Sequence, residues 1–401
     1  MKRQTGSDFP KIPDAEFQQR IAAFRRKMQE ARIDLAIAHS MNYIEPSSVR
    51  YLCDYYPVNE NAAFVLPLAG EPIVCSGQAS HAWSAHTSRI KNIRILPEVG
   101  EVSGVEYDLA TSDFETLFKE LKGKYDIKRI GWIGELTFPY VIYEKARRVF
   151  PDAEFVNIDR LIYEMRASKS ENELACMRKA GRIISESFGY AVPRIKPGVT
   201  ELDIQADLEA QMLRLGAEDH CLSWAPEVGS GTLNSNLCVN RNTLRKVQEG
   251  EIIDVNAGAL YEGYNAVICT PVVLGKIPEE IRKAILVGWD AERLVADALK
   301  PGASSKELVR VYGDFLTEKG YRRYSPYGAV HSIGMLECEA PFFSAKRDVF
   351  LQENSTVAID VYFAELPWGS FRIEDTFIVK TTGTEKITDF NEKYLKRYQE
   401  K

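Results

Sequence analysis

The sequence predicts a two-domain α+β protein, with an N-terminal α/β domain and a larger domain in which helices and antiparallel strands fall into separate blocks. Three observations predict this. The chain has 401 residues, 45% of them hydrophobic and 27% charged, which is an ordinary globular composition and enough for two or three separate cores. Strand-like and helix-like segments interleave up to about residue 160. Beyond that point a set of landmarks occurs twice, 104 residues apart. The boundary is expected between 1–162 and 163–401.

The elements follow in order. Phe17 to Ile33 carries Ile21, Phe24, Met28 and Ile33 with charges between them, which predicts an amphipathic helix. Asp34 to Ala38 reads as a short buried strand. Ala63–Pro67 and Pro72–Cys75 flank a Gly70-Glu71 turn and predict a hairpin. Arg129 to Gly134 is a further strand and Tyr140 to Phe150 a further helix. Ser170 and Glu173 form a capping box before a helix whose buried stripe is Leu174, Met177, Gly181, Ile184 and Phe188. Thr200–Asp203 and Ser304–Glu307 are two more starts of that kind.

The repeat carries Lys196-Pro197-Gly198-Val199-Thr200 onto Lys300-Pro301-Gly302-Ala303-Ser304. At the same offset Glu249-Gly250 falls on Glu353-Asn354, and Ile253-Asp254-Val255-Asn256 on Val357-Ala358-Ile359-Asp360. The carboxylate of Asp360 therefore has an amide, Asn256, as its counterpart. If the halves face each other across a site, an anionic oxygen ligand is missing from one side.

The bulk properties exclude some functions. The net charge is -6 without a long basic run, which argues against a nucleic-acid partner. No apolar stretch reaches the length of a membrane span. Met1–Asp8 has basic residues with no apolar core behind them, so a secretory signal is not expected. The seven cysteines are most simply free thiols, which predicts a cytoplasmic protein.

Four segments carry chemistry: Gly250–Asn256 continuing through Tyr264; His331-Ser332-Ile333-Gly334-Met335-Leu336-Glu337-Cys338-Glu339-Ala340-Pro341; Val357–Asp360; and Phe371-Arg372-Ile373-Glu374-Asp375-Thr376. As a set, in this order, they resemble the superfamily of methionine aminopeptidase, aminopeptidase P, prolidase and creatinase. The resemblance covers most of the chain. It implies an N-terminal creatinase-type α/β domain, a C-terminal pita-bread domain with a pseudo-two-fold internal repeat, and a homodimer. In the family's metallopeptidases two Asp, one His and two Glu hold two metal ions, since hard or borderline ions need anionic oxygens. Carried over, these positions are Asn256, Val267, His331, Asp360 and Glu374. Two of the five ligands are lost.

Creatinase, a metal-free branch, shares the Asn and the His-Ser-x-Gly-x-Leu pattern. The expectation is therefore metal-independent hydrolysis of a C–N bond in a small, cationic, nitrogen-rich metabolite, with no cofactor. Creatine itself is not expected. The creatinase catalytic His falls at Cys238 or Val239, the family's second His at Cys338, a Glu at Cys269, and the carboxylate-gripping Arg near Glu60. His331 is expected as general acid or base, Cys238 as nucleophile, and Glu374 as cation anchor or proton donor. Asp360, Asn256, Cys338, Glu339, Cys269 and Asp254 are expected to bind substrate. A thiol is more often a small buried hydrophobe; three at expected site positions shift the balance. Of Glu337 and Glu339, which flank Cys338, one is expected to face the site and the other solvent. Asn234, Asn236 and Asn240 either bind substrate or form turns. His39, His81, His86 and His220, Asp375, Tyr261 and Tyr264 read as structural. Two alternatives stand beside this reading. One is an Xaa-Pro peptidase with a single ion, such as Mn or Zn, on His331, Asp360 and Glu374, with Asp254 assisting. The other is a catalytically inactive module that binds a peptide or partner.

Overall fold

The computed structural model describes residues 9–41, 44–101, 111–221, 225–239, 241–343, 346 and 348–400. Met1–Asp8 and Asn240, both considered above, lie outside the described residues. The chain forms two compact units, one of Ile12–Met165 and one of Arg166–Lys401 with the leading segment to Lys11. Among the described residues no helix is long and apolar enough to cross a membrane.

The first unit is built on a mixed six-stranded sheet of order β4-β3-β2-β1-β5-β6. Its strands are β1 (Leu35–Ser40), β2 (Ala62–Pro67), β3 (Ile73–Ser76), β4 (Ile93–Ile95), β5 (Arg129–Ile133) and β6 (Glu154–Asn157). The expected hairpin is the antiparallel β2–β3 pair. The helix expected from Phe17 to Ile33 runs instead over Asp14–Glu30. It starts earlier because Asp14 and Glu16 favour its first turn, and stops earlier because Arg32 adopts a left-handed φ of 57°. Leu35, Ile37, Val65, Phe114 and Phe118 lead the apolar core of this unit.

The second unit holds an eight-stranded sheet containing β7 (Asp219–His220), β8 (Glu227–Ser230), β9 (Ile252–Tyr261), β10 (Tyr264–Val273), β11 (Val330–Ser332), β12 (Thr356–Leu366), β13 (Gly369–Lys380) and β14 (Gly383–Lys386). The main path is β11-β12-β13-β10-β9-β7, with β8 on β9 and β14 on β13, and every pairing is antiparallel. Each half of the repeat adds two helices, Glu171–Ala191 with Glu201–Arg214, and Glu279–Ala298 with Ser305–Lys319. Both helices of the first half open with full capping boxes, at Ser170 and Thr200. Ser304 caps the last helix by accepting from the Glu307 amide.

The repeat is visible in the backbone. Thr200 bridges to Lys246 and Ser304 to Phe350. The Gly198 amide donates to the Val247 carbonyl, and the Gly302 amide to that of Leu351. Gly250 turns with φ 77° and its counterpart Asn354 with φ 64°, a region that Gly and Asn tolerate best. Gly181 belongs to the expected stripe for a reason beyond periodicity. A Cβ there would stand 2.3 Å from the Ile387 carbonyl oxygen, so the helix and that segment approach too closely for a side chain.

Candidate active site

Register assembles the site. Glu227 pairs with Asn256, Asn256 with Cys269, Cys269 with Glu374, and Glu374 with Asp360. Directly paired residues project from the same face, so five strands place these side chains in one transverse row. His331 pairs with Ala358, two residues before Asp360, and so joins the same face. The row floors a cavity of about 360 Å³ whose walls include Tyr327, Glu337, Cys338, Cys238, Val239, Arg372, Phe342 and Phe343.

The imidazole of His331 is held at both ends. Nδ1 lies 3.2 Å from the Ser332 carbonyl, and Nε2 lies 3.2 Å from Glu374 Oε1 and 3.3 Å from Glu337 Oε1. Burial opposes a charge on the ring. The Glu337 carboxylate, Cys338 and Glu374 outweigh it and raise the His331 pKa well above its ordinary value. Burial likewise raises Asp360, with the charge of Glu374 adding to it against Arg372 and the Tyr327 hydroxyl. Tyr327 donates to Asp360 Oδ2.

The three thiols have different surroundings. Cys269 donates to Glu374 Oε2 at 2.9 Å, and burial followed by the Glu374 charge keeps it protonated. Cys238 is exposed, and its sulfur lies 3.0 Å from Arg372 Nη2, which also donates to the Cys238 carbonyl. The thiol expected as nucleophile therefore has the Arg372 guanidinium as its hydrogen-bond partner. Cys338 lies beside the His331 ring at the cavity wall.

Two more expectations are corrected by position. Glu339 does not line the cavity. It accepts from Arg166 and from Lys169 Nζ at 2.8 Å, as well as from the Met335 and Leu336 amides. Burial opposes its charge, but Arg166 and Lys169 prevail and hold the carboxyl down at about 2. Gly334 must lack a side chain because a Cβ would stand 2.3 Å from this carboxylate. Asp254 does not line the cavity either. It accepts from Asn256 Nδ2 at 3.0 Å and from the Arg372 amide at 2.8 Å, and so orients both residues. Glu60, in the first unit, is buried and accepts from the Ala79 and Ser80 amides, a structural role. Asn236 binds Ser370 and Asn234 binds Glu201, both within the fold.

Sequence reasoning passed over Tyr327 and Arg372 and left Glu337 undecided. Arg372 stands two residues before Glu374, so strand alternation places both on one face. Tyr327 sits in irregular chain before β11 and gives no periodic signal.

The donor set fits one divalent ion. His331, Asp360 and Glu374 offer atoms that all lie within 4.8 Å of one another. The Nδ1 contact fixes the ring so that Nε2 faces the carboxylates, the arrangement of a metal-bound imidazole. Two buried oxygens of the row, Asp360 Oδ1 and Asn256 Oδ1, have no hydrogen-bond partner. A second ion does not fit. Val267 offers no donor atom, is buried, and has its amide bound to Thr376 Oγ1.

The comparisons agree with a metal site. The model of metallopeptidase family M24 matches residues 175–381, and that of the creatinase/prolidase N-terminal domain matches 20–168. An Xaa-Pro dipeptidase of Pyrococcus horikoshii is 26% identical over 325 residues, covering 80% of this chain and 87% of that protein. The uncharacterized peptidase YqhT of Bacillus subtilis is 28% identical over 266 residues, covering 66% of this chain and 74% of that protein. Among solved structures, the prolidase of Pyrococcus horikoshii OT3 superposes with a TM-score of 0.79 at 22% identity, over 92% of this chain and 98% of that one. An X-Pro aminopeptidase of Thermotoga maritima MSB8 does so at 0.79 and 23%, over 92% and 97%. These structures establish the two-domain pita-bread fold.

The expectation of a metal-independent, creatinase-like hydrolase of a cationic metabolite is overturned. The relatives are peptidases, among them Xaa-Pro dipeptidases, and the cofactor-free site gives way to a His331–Asp360–Glu374 cluster. With more than half its length matched, the chain belongs to metallopeptidase family M24, a family of hydrolases acting on C–N bonds.

Proposed function

We propose that this chain is a peptidase that cleaves the Xaa-Pro bond of short peptides with one divalent metal ion. The observation that carries this reading is the His331–Asp360–Glu374 cluster, with its oriented imidazole and an Asp360 Oδ1 that takes no hydrogen bond and meets only the Arg372 guanidinium, at 3.9 Å. An ion there supplies Lewis acidity toward the scissile carbonyl and toward water. The protein's own groups do the rest. Cys269 holds Glu374 Oε2, leaving Oε1 on the His331 side. Tyr327 keeps its proton, because burial and then the Asp360 charge raise its pKa, and so remains a donor at the cavity wall. Phe342, Phe343 and Val239 line the cavity with apolar surface suited to a prolyl ring. Its volume of about 360 Å³ suits a dipeptide-sized ligand. We extend the reading to a cytoplasmic homodimer; sedimentation at micromolar concentration checks the dimer.

The test uses chelator-stripped protein reloaded with Mn, Co or Zn and assayed on Ala-Pro, Leu-Pro and Ala-Ala dipeptides. Hydrolysis of the prolyl substrates, with one metal equivalent per chain, is expected. Bound metal without turnover of any Xaa-Pro peptide overturns the reading.

A further inference from the structure

One buried carboxylate gathers both ends of a cavity wall. Glu201 opens the helix Glu201–Arg214 and is fully buried. Its Oε1 accepts from the Ser230 amide at 3.0 Å, the Ser230 hydroxyl at 2.6 Å and Asn234 Nδ2 at 2.9 Å. Its Oε2 accepts from Asn234 Nδ2 at 3.2 Å, the Thr243 amide at 3.0 Å and the Thr243 hydroxyl at 2.7 Å. Ser230 ends β8 and Thr243 lies on the returning chain, so the carboxylate closes the stretch that carries Cys238 and Val239 into the cavity wall. Each of these partners donates, and an ionised carboxylate is the side chain that only accepts.

The same stretch is fastened to β13 in its middle. The Ser370 amide donates to Ser235 Oγ at 3.0 Å, Ser370 Oγ to Asn236 Oδ1 at 2.5 Å, and Arg372 Nη2 to the Cys238 carbonyl at 2.8 Å. Ser370, Arg372 and Glu374 alternate along β13 and so share a face. Two of them hold the wall, and the third belongs to the metal cluster. The repeat supplies an independent observation. Glu201 and Ser305 are equivalent at the 104-residue offset, and their amides donate to the equivalent carbonyls of Arg245 and Val349. The Ser305 hydroxyl accepts from the Val349 amide at 3.0 Å. The side chain at this position thus serves the frame in the second half and the cavity wall in the first.

We propose that Glu201 is a positioning residue for substrate, setting the wall of Cys238 and Val239 against β13 and, through the Cys238 carbonyl, setting Arg372. The inference rests on the peptidase reading of this cavity and goes beyond it by naming what fixes the wall away from the metal cluster. Binding and chemistry then divide between the halves. The second half holds His331, Asp360 and Glu374. The first, through Glu201, holds the apolar surface at Val239 against which a prolyl ring packs. Releasing the wall should therefore weaken substrate binding more than it slows the chemical step, and should leave metal affinity as it is.

The test compares the wild type with Glu201→Gln, which sets an NH2 group against donors. Hydrogen–deuterium exchange at Gly231–Val239 should accelerate about tenfold, as loss of a charge-assisted hydrogen bond implies, while exchange at Met335–Cys338, in the loop after β11, stays as in the wild type. With metal bound, KM for Ala-Pro should rise about tenfold and kcat fall less than about threefold. Zn affinity, from competition with a chromophoric chelator, should be unchanged. Should Glu201→Gln fail to fold, Thr243→Val removes one hydroxyl donor and should give smaller changes of the same kind. Unchanged exchange at Gly231–Val239, or exchange that rises equally in both segments, overturns the hold of Glu201 on the wall. Accelerated exchange with unchanged KM overturns its role in substrate binding. Selective acceleration, in a protein whose metal-loaded wild type cleaves no Xaa-Pro peptide, overturns the peptidase reading instead and leaves the hold on the wall standing.

Discussion

The two halves of the repeat share a frame and differ in chemistry. Thr200–Lys246 and Ser304–Phe350 are equivalent bridges, Gly250 and Asn354 turn with nearly the same φ, and β9–β10 and β12–β13 are matching hairpins. Yet the second half presents Asp360 and Glu374 to the cavity, and the first presents Asn256 and Cys269. Caps, turn residues and alternation, which set the frame, are held by groups that do not touch the site. Cavity-facing positions can therefore change from carboxylate to amide or thiol while the ladders stay in register. Glu337 and Glu339 repeat the contrast on a scale of two residues, one carboxylate serving the cavity and the other the fold.

Breaking the structural member of that pair should have the largest effect. Glu339→Ala leaves Arg166 and Lys169 as buried, uncompensated cations and should destabilise the protein by about 3–5 kcal/mol in denaturant unfolding. The wild type should show the same interaction through pH. The folded-state pKa of Glu339 is depressed from 4.5 to about 2, so its contribution is present above the unfolded value and lost as pH falls through that window. The loss should amount to roughly 3 kcal/mol. In Glu339→Gln the slope from this group should vanish; an unchanged acid slope would show that other carboxylates carry it.

Which glutamate faces the cavity was not legible in the sequence, although both flank the same cysteine. The deciding partners, Arg166 and Lys169, lie 173 and 170 residues away in the chain. A separation of 134 residues likewise hid the Arg372–Cys238 contact, which gives the thiol a guanidinium partner. What was legible is local or periodic. The capping boxes at Ser170 and Thr200, the stripe of the helix that follows Ser170, the β2–β3 hairpin and the repeat offset all depend on near neighbours or on spacing. The ordered segments around His331, Asp360 and Glu374 marked the site for the same reason. The candidate metal site is not legible from the same segments, because Asn256 and Val267 stand at two of the five ligand positions while the three remaining donors meet only in the fold.

Restoring the lost carboxylates sharpens the comparison between halves. Asn256→Asp with Val267→Asp should raise the metal stoichiometry from one to two equivalents per chain. Without metal the same double variant should be less stable by about 2–3 kcal/mol, since it buries two anions that lack cations. If the stoichiometry stays at one, the halves differ in more than their ligands. The smallest effect tests the shared frame. Thr200→Ala and Ser304→Ala each remove a helix N-cap and should each cost about 1 kcal/mol. A large inequality in thermal unfolding between the two would show that the frame is not energetically symmetric.

The transverse row across β8, β9, β10, β13 and β12 has one further consequence. Each member hangs from a different strand, so exchanging one side chain leaves its neighbours' backbones where the ladders put them. The sheet works as a rack whose slots are set by the ladders, while the side chains in them still bond to one another, as Cys269 does to Glu374. One set of donors can thus be exchanged for another by single substitutions, without rebuilding the scaffold that aims them.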